Sequence, residues 1–98
     1  MAPSRAAVGS QMEIQIDPHS LERAEERGSN EPEIKDVILT GVSIPGKHGR
    51  SGKVKIYDFR NWRNNKYYEQ KRVEVFYTTE GQTLVTVTVY VFYGKWEE

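Results

Sequence analysis

From Arg72 to Phe92 the chain alternates between apolar and polar positions in two runs, Arg72-Val-Glu-Val-Phe-Tyr77 and Leu84-Val-Thr-Val-Thr-Val-Tyr-Val-Phe92. The turn-like stretch Thr79-Glu80-Gly81-Gln82 separates them. Side chains on a strand point alternately to its two faces, so each run predicts a strand with one oily and one polar side. By this pattern Val73, Val75, Val85, Val87, Val89 and Val91 point inward, while Arg72, Glu74, Thr86, Thr88 and Tyr90 share the opposite surface. A tight turn sets the register of the strands it joins, so these polar groups are expected close together on one open sheet face.

The rest of the chain reads as two short helices and two further strands. Glu13-Ile-Gln-Ile16 alternates and predicts a short first strand. Asp17 stands where an N-cap belongs, with Pro18 at the first helical position and Gly28 just past the end, which predicts a helix from Pro18 to Arg27. At 100° per residue, Leu21 and Ala24 of that helix face the core, Glu22, Glu25 and Glu26 form one flank, and His19, Arg23 and Arg27 form the other. An Asn30-x-x-Glu33 capping box opens a second helix, with Ile34, Val37 and Ile38 as its buried side and a stop near Gly41. Residues 42–53, dense in glycine and cations, predict a loop suited to wrapping a phosphate backbone. Lys53 to Phe59 follows as a strand, and Arg60 to Tyr68 as a polar, aromatic-containing connection. The expected order is β-α-α-β-β-β, an α+β fold with two short helices packed on one face of a small antiparallel sheet. Residues 1–11 lack apolar periodicity and read as a flexible leader or expression remnant, with Met12 as a natural start and residues 12–98 as a single domain.

Composition narrows the chemistry. Ninety-eight residues make one small core. The absence of cysteine excludes a disulfide scaffold, thiolate metal sites and a cysteine nucleophile, and two histidines are too few for a typical structural zinc site. No metal and no cofactor are expected. No apolar run approaches a membrane span and no signal-peptide pattern opens the chain, so no membrane partner and a cytoplasmic location are expected. The formal charge is zero but unevenly spread: residues 12–40 carry eight acidic and three basic side chains, and residues 46–73 carry nine Lys/Arg against Asp58 and Glu69. A basic segment of that kind suits a polyanion such as RNA.

In the strand from Lys53, Val54 and Ile56 take the inward parity, so Lys55 and Tyr57 join the outward set. The open face is then expected to combine a carboxylate, cations, phenols and hydroxyls. Metal-independent RNA cleavage needs a base for the 2′-hydroxyl, an acid for the leaving 5′-oxygen and fixed positive charge at the phosphorane. His19 is the candidate acid, Glu74 the candidate base and Arg72 the candidate transition-state cation. Arg23 and Lys55 are candidate phosphate clamps, Tyr57 and Tyr90 candidates for stacking a base, and Thr86 and Thr88 further substrate contacts. Gly46-Lys-His-Gly49 lacks the spacing of a nucleotide-binding P-loop.

Three segments carry a resemblance. Pro18-His-Ser-Leu-Glu-Arg-Ala-Glu-Glu-Arg-Gly28, followed by Glu33-Ile-Lys-Asp-Val-Ile38, and the ending Val85-Thr-Val-Thr-Val-Tyr90 resemble the domain of unknown function 4258 family. Its motif positions fall on His19, Arg23, Arg27 and one of Thr86 and Thr88. The resemblance implies a RelE-like or barnase-like ribonuclease scaffold, in which helices pack behind a curved antiparallel sheet whose open face cleaves RNA, and a toxin-antitoxin or mobile-element setting, the former with an antitoxin-like protein partner. The function expected is therefore a small metal-independent, toxin-like endoribonuclease. The alternative is a non-catalytic module that docks a protein partner or RNA on the same scaffold.

Overall fold

Asp17 starts the first helix as its position suggests: its carboxylate accepts from the Ser20 backbone N–H at 3.1 Å, and Pro18 needs no partner in the first turn. Gly28 ends that helix in the left-handed region, at φ 101°, where its N–H reaches Glu25 O and the Ser29 N–H reaches Ala24 O. A side chain at Gly28 would also collide with the Tyr93 hydroxyl, which donates to Arg27 O at 2.7 Å. Asn30 caps the second helix by accepting from Glu33 N at 2.9 Å.

The computed structural model describes residues 12–96, so the expected leader, residues 1–11, lies outside the described residues. The elements are β1 (Glu13–Ile16), α1 (Pro18–Arg27), α2 (Glu31–Thr40), β2 (Val42–Pro45), β3 (Ser51–Arg63), β4 (Lys66–Glu80) and β5 (Thr83–Gly94). This is an α+β fold in which two helices pack on one mixed five-stranded sheet of order β1-β5-β4-β3-β2. No described helix is long and apolar enough to cross a membrane.

Three features depart from the sequence reading. The sheet is not purely antiparallel, because β1 pairs with β5 in parallel, Ile14 opposite Leu84 and Ile16 opposite Thr86. Residues 42–53 are not one loop, since Val42–Pro45 forms an edge strand on Ser51–Val54 and leaves only residues 46–50 as a connection. The segment from Arg60 to Tyr68 is likewise mostly strand. Asn64 and Asn65, at φ 52° and 66°, make the tight turn of a long β3–β4 hairpin, and a bulge between Asp58 and Asn61 bends it.

The core lies between the helices and one sheet face. Ala24 from α1 and Ile34, Val37 and Ile38 from α2 meet Val73, Val75, Leu84 and Val89. Each of the valine, leucine and isoleucine side chains contributes about 1.5–3 kcal/mol by leaving water, and the Ala24 methyl less. Val73, Val75 and Val89 take the inward positions read from the alternation, whereas Val85 and Val87 do not. Phe76 pairs with Thr88 but Tyr77 with Thr86, so β5 carries one extra residue at Val87. The bulge reverses the parity of the preceding part of β5. Thr86 therefore enters the core, 1% exposed, with its hydroxyl donating to Gln15 O at 3.2 Å.

Beyond its pairing with β1, the outer edge of β5 is covered by α1. Ser20 Oγ donates to Val87 O at 2.8 Å and Arg27 Nη1 to Val89 O at 2.7 Å. These bonds satisfy strand carbonyls that an uncovered edge would leave without partners.

Candidate nucleic-acid interface

Cross-strand pairing sorts the candidate residues between the two sheet faces. Glu74 stands opposite Val54 on one side and Tyr90 on the other, and Arg72 stands between Ile56 and Phe92. These residues, with Phe76 and Thr88, occupy the face away from the helices, so Arg72, Glu74, Thr88 and Tyr90 lie where the alternation put them. Lys55, Tyr57 and Thr86 do not. Lys55 is the ladder partner of the core residue Val73 and Tyr57 of the buried Lys71, which places both on the helix-covered face, while Val54 and Ile56 line the open one.

The helix-covered side explains this inversion. Lys55 Nζ donates to Asp36 Oδ2 at 2.7 Å and to Thr40 Oγ1 at 2.8 Å, and the Tyr57 hydroxyl donates to the same Asp36 oxygen at 2.6 Å. Long side chains can bury their stems while their polar tips meet partners on the packed helix. The Lys55 ammonium, helped by Tyr57, holds the Asp36 carboxyl below its ordinary value, and burial together with the Asp36 carboxylate pushes the Tyr57 phenol upward. Nearby, Lys71 Nζ bonds Glu33 Oε1 and Gly28 O, both at 2.9 Å, and Ser29 Oγ donates to the same glutamate oxygen at 2.7 Å. Glu33 thus serves the sheet rather than reaching back to complete a capping box. Lys55, Tyr57 and Thr86 are fold-holding groups, which corrects their expected place on a substrate-binding surface.

Two concavities meet on the open side. One, of about 350 Å³, runs between α1 and the β5 edge; the stripe His19, Arg23 and Arg27 lines it together with Thr88 and Tyr90. The other, of about 320 Å³, lies under the β2–β3 connection and is bordered by Lys47, His48, Arg50, Phe76, Thr88 and Tyr90. Gly52 makes this second shape possible, because a Cβ there would strike the Phe76 ring and Ile44. Thr88 and Tyr90 belong to both, forming a ridge between two cationic walls. Tyr90 is 42% exposed and sits in an aromatic row, with Phe76 edge-on at 6.0 Å, Phe92 stacked at 6.2 Å and the Arg27 guanidinium 5.7 Å from its ring centre.

The proposed acid, base and transition-state cation are not gathered into one concavity. His19 lines the α1 groove, whereas Arg72 and Glu74 line neither hollow and bind each other, Nε to Oε2 at 3.0 Å. The sequence reading missed Phe76 and Phe92 as members of this face, although each lies two residues from a residue it had placed there, Glu74 and Tyr90. Lys47, His48 and Arg50 fall in the segment expected to wrap a phosphate backbone, without being singled out there as site residues. Among the described residues no cluster of three or more His, Cys, Asp or Glu side chains has the arrangement of a metal site. In comparison with known proteins, the chain matches no protein-family model, no curated protein and no solved structure.

Proposed function

We propose that this protein binds single-stranded RNA on the open face of its sheet. The observation that carries the reading is the convergence of two cationic walls, His19, Arg23 and Arg27 on one side and Lys47, His48 and Arg50 on the other, upon the exposed ring of Tyr90. A single strand offers a charged backbone and unstacked bases, and it is held by cations that track the phosphates and aromatic rings that receive the bases. The Thr88 hydroxyl on the ridge adds a donor and acceptor for a ribose 2′-hydroxyl. The resemblance to the domain of unknown function 4258 family, and through it to RelE-like and barnase-like ribonucleases, is consistent with this site. Of its motif positions, His19, Arg23 and Arg27 line one groove, and of the two threonines that match in the last strand Thr88 lines it while Thr86 is buried.

The second reading is cleavage of that RNA without a metal, favoured by the imidazole of His19 in the groove. In such a step the 2′-oxygen attacks its neighbouring phosphorus, a base takes the 2′-proton, an acid delivers a proton to the departing 5′-oxygen, and a 2′,3′-cyclic phosphate forms. Glu74 is engaged by Arg72 and faces neither hollow, so binding stands ahead of cleavage. Anisotropy titration of a labelled single-stranded RNA across a salt series in EDTA, followed by end analysis, tests both. Binding should weaken with a log–log slope of about −0.7 per phosphate contacted. No binding at low salt would overturn the reading, and cyclic-phosphate ends would raise cleavage above simple docking.

A further inference from the structure

The two hollows differ in a way that specifies the ligand more closely. The one under the β2–β3 connection has an aromatic corner, Phe76 edge-on to Tyr90 at 6.0 Å, and a volume of about 320 Å³, within the usual range of small-molecule clefts. Lys47 and Arg50 border it on the side away from α1. The groove on the other side of the Thr88–Tyr90 ridge offers Arg23, with Arg27 already partly engaged by Val89 O and the Tyr90 ring. No carboxylate borders either hollow among the described residues, and neither Arg23 nor Arg50 makes an ion pair there.

We infer that the site takes one nucleoside carrying phosphates on both its 3′ and 5′ oxygens, its base at the Phe76–Tyr90 corner and one phosphate on each cationic wall. The inference rests on the RNA-binding reading and narrows it to a unit of recognition. Because the aromatic corner lies between the walls, the two phosphates must leave the ribose in different directions. A 3′,5′-bisphosphate does this, as does every internal residue of an RNA strand. A 5′-diphosphate places both charges on one side and leaves the opposite wall empty.

Isothermal titration with adenosine 3′,5′-bisphosphate, adenosine 5′-diphosphate and adenosine 5′-monophosphate separates the possibilities. The 3′,5′-bisphosphate should bind about tenfold or more tightly than the 5′-diphosphate, the size expected of one charge-assisted contact. Arg23→Ala and Arg50→Ala should each remove most of that advantage, and the double variant should bring the two ligands level. Neither side chain makes a described hydrogen bond, so both variants should keep the parent's thermal melt. Equal or tighter binding of the 5′-diphosphate, no binding of the bisphosphate, or an advantage untouched by both substitutions overturns the inference. A single-stranded RNA that still binds in those cases leaves the RNA reading standing, whereas loss of RNA binding as well ends both.

Discussion

Both faces of this sheet carry lysine and arginine, yet they treat the charge differently. On the helix-covered face Lys55 meets Asp36 and Lys71 meets Glu33, with further hydrogen bonds from Tyr57 and Ser29 that leave each carboxylate engaged. Around the open face, Arg23, Lys47 and Arg50 make no ion pair among the described residues. A cation with its own carboxylate holds two elements together. A cation without one remains available to an anion brought from outside. Arg72, paired with Glu74 on the open face, is intermediate, and its pairing fits it to order the sheet surface more than to grip a phosphate.

The sharpest way to break the comparison is to interchange its consequences. Lys71→Ala should cost about 3 kcal/mol, because it strands a mostly buried glutamate, and it should leave RNA affinity per folded molecule unchanged. Urea unfolding measures the first and anisotropy the second; a weakened affinity at full folding would erase the distinction between the faces.

Tyr90→Ala should do the reverse. Loss of a stacking ring costs about 1–3 kcal/mol of single-strand binding, and an exposed residue on the open face should alter stability by only about 0.5 kcal/mol. Thr86→Val tests the bulge: with the hydroxyl in the core and bonded to Gln15 O, the substitution should destabilise by about 1 kcal/mol and spare RNA binding. Were Thr86 on the open face, as plain alternation has it, stability would not change.

The smallest effects are pH-dependent and confined to the helix-covered side. Asp36 is held below its ordinary value, so the folded state favours its ionised form. Its contribution is present above the unfolded carboxyl's value of 3.8 and is lost as the pH falls through the folded one. Asp36→Asn should therefore make the acid limb of stability shallower in urea midpoints taken from pH 7 to pH 2. Tyr57 is shifted upward, so its contribution is full below the ordinary phenol value of 10.0 and declines as the pH rises beyond it. Absorbance titration should find Tyr57 and Tyr93 ionising above the ordinary phenol value of 10.0. Early ionisation of Tyr57 would contradict its bond to Asp36.

Features written in local chemistry were legible before the structure: Asp17 and Gly28 bound α1, Asn30 opens α2 and Gly81 turns β4 into β5. Arg72, Glu74, Thr88 and Tyr90 were also placed on the open face correctly, because β4 keeps an unbroken pleat against the second half of β5. The extra residue at Val87 was hidden. In a Val-Thr-Val-Thr-Val stretch each position suits either face, and a bulge adds no residue type that marks it. Lys55 and Tyr57 misled for another reason: polarity alone does not tell a solvent-facing side chain from one whose tip is bonded to a helix. The β2 strand escaped notice because it is four residues long and ends in proline, and the Asn64–Asn65 turn because asparagine marks a left-handed turn more weakly than glycine.

The clasp of α1 on the rim of β5 bears on how this protein behaves in a crowd. Strands attach to strands when a bare row of amides and carbonyls is presented, and that is how soluble sheets grow into insoluble ones. With Ser20 and Arg27 already holding Val87 O and Val89 O, the most valine-rich strand of the molecule is closed to such growth along this stretch. The same arginine that touches Tyr90 thus also blocks strand addition at this rim, so Arg27→Ala should scatter more light than the parent at high concentration.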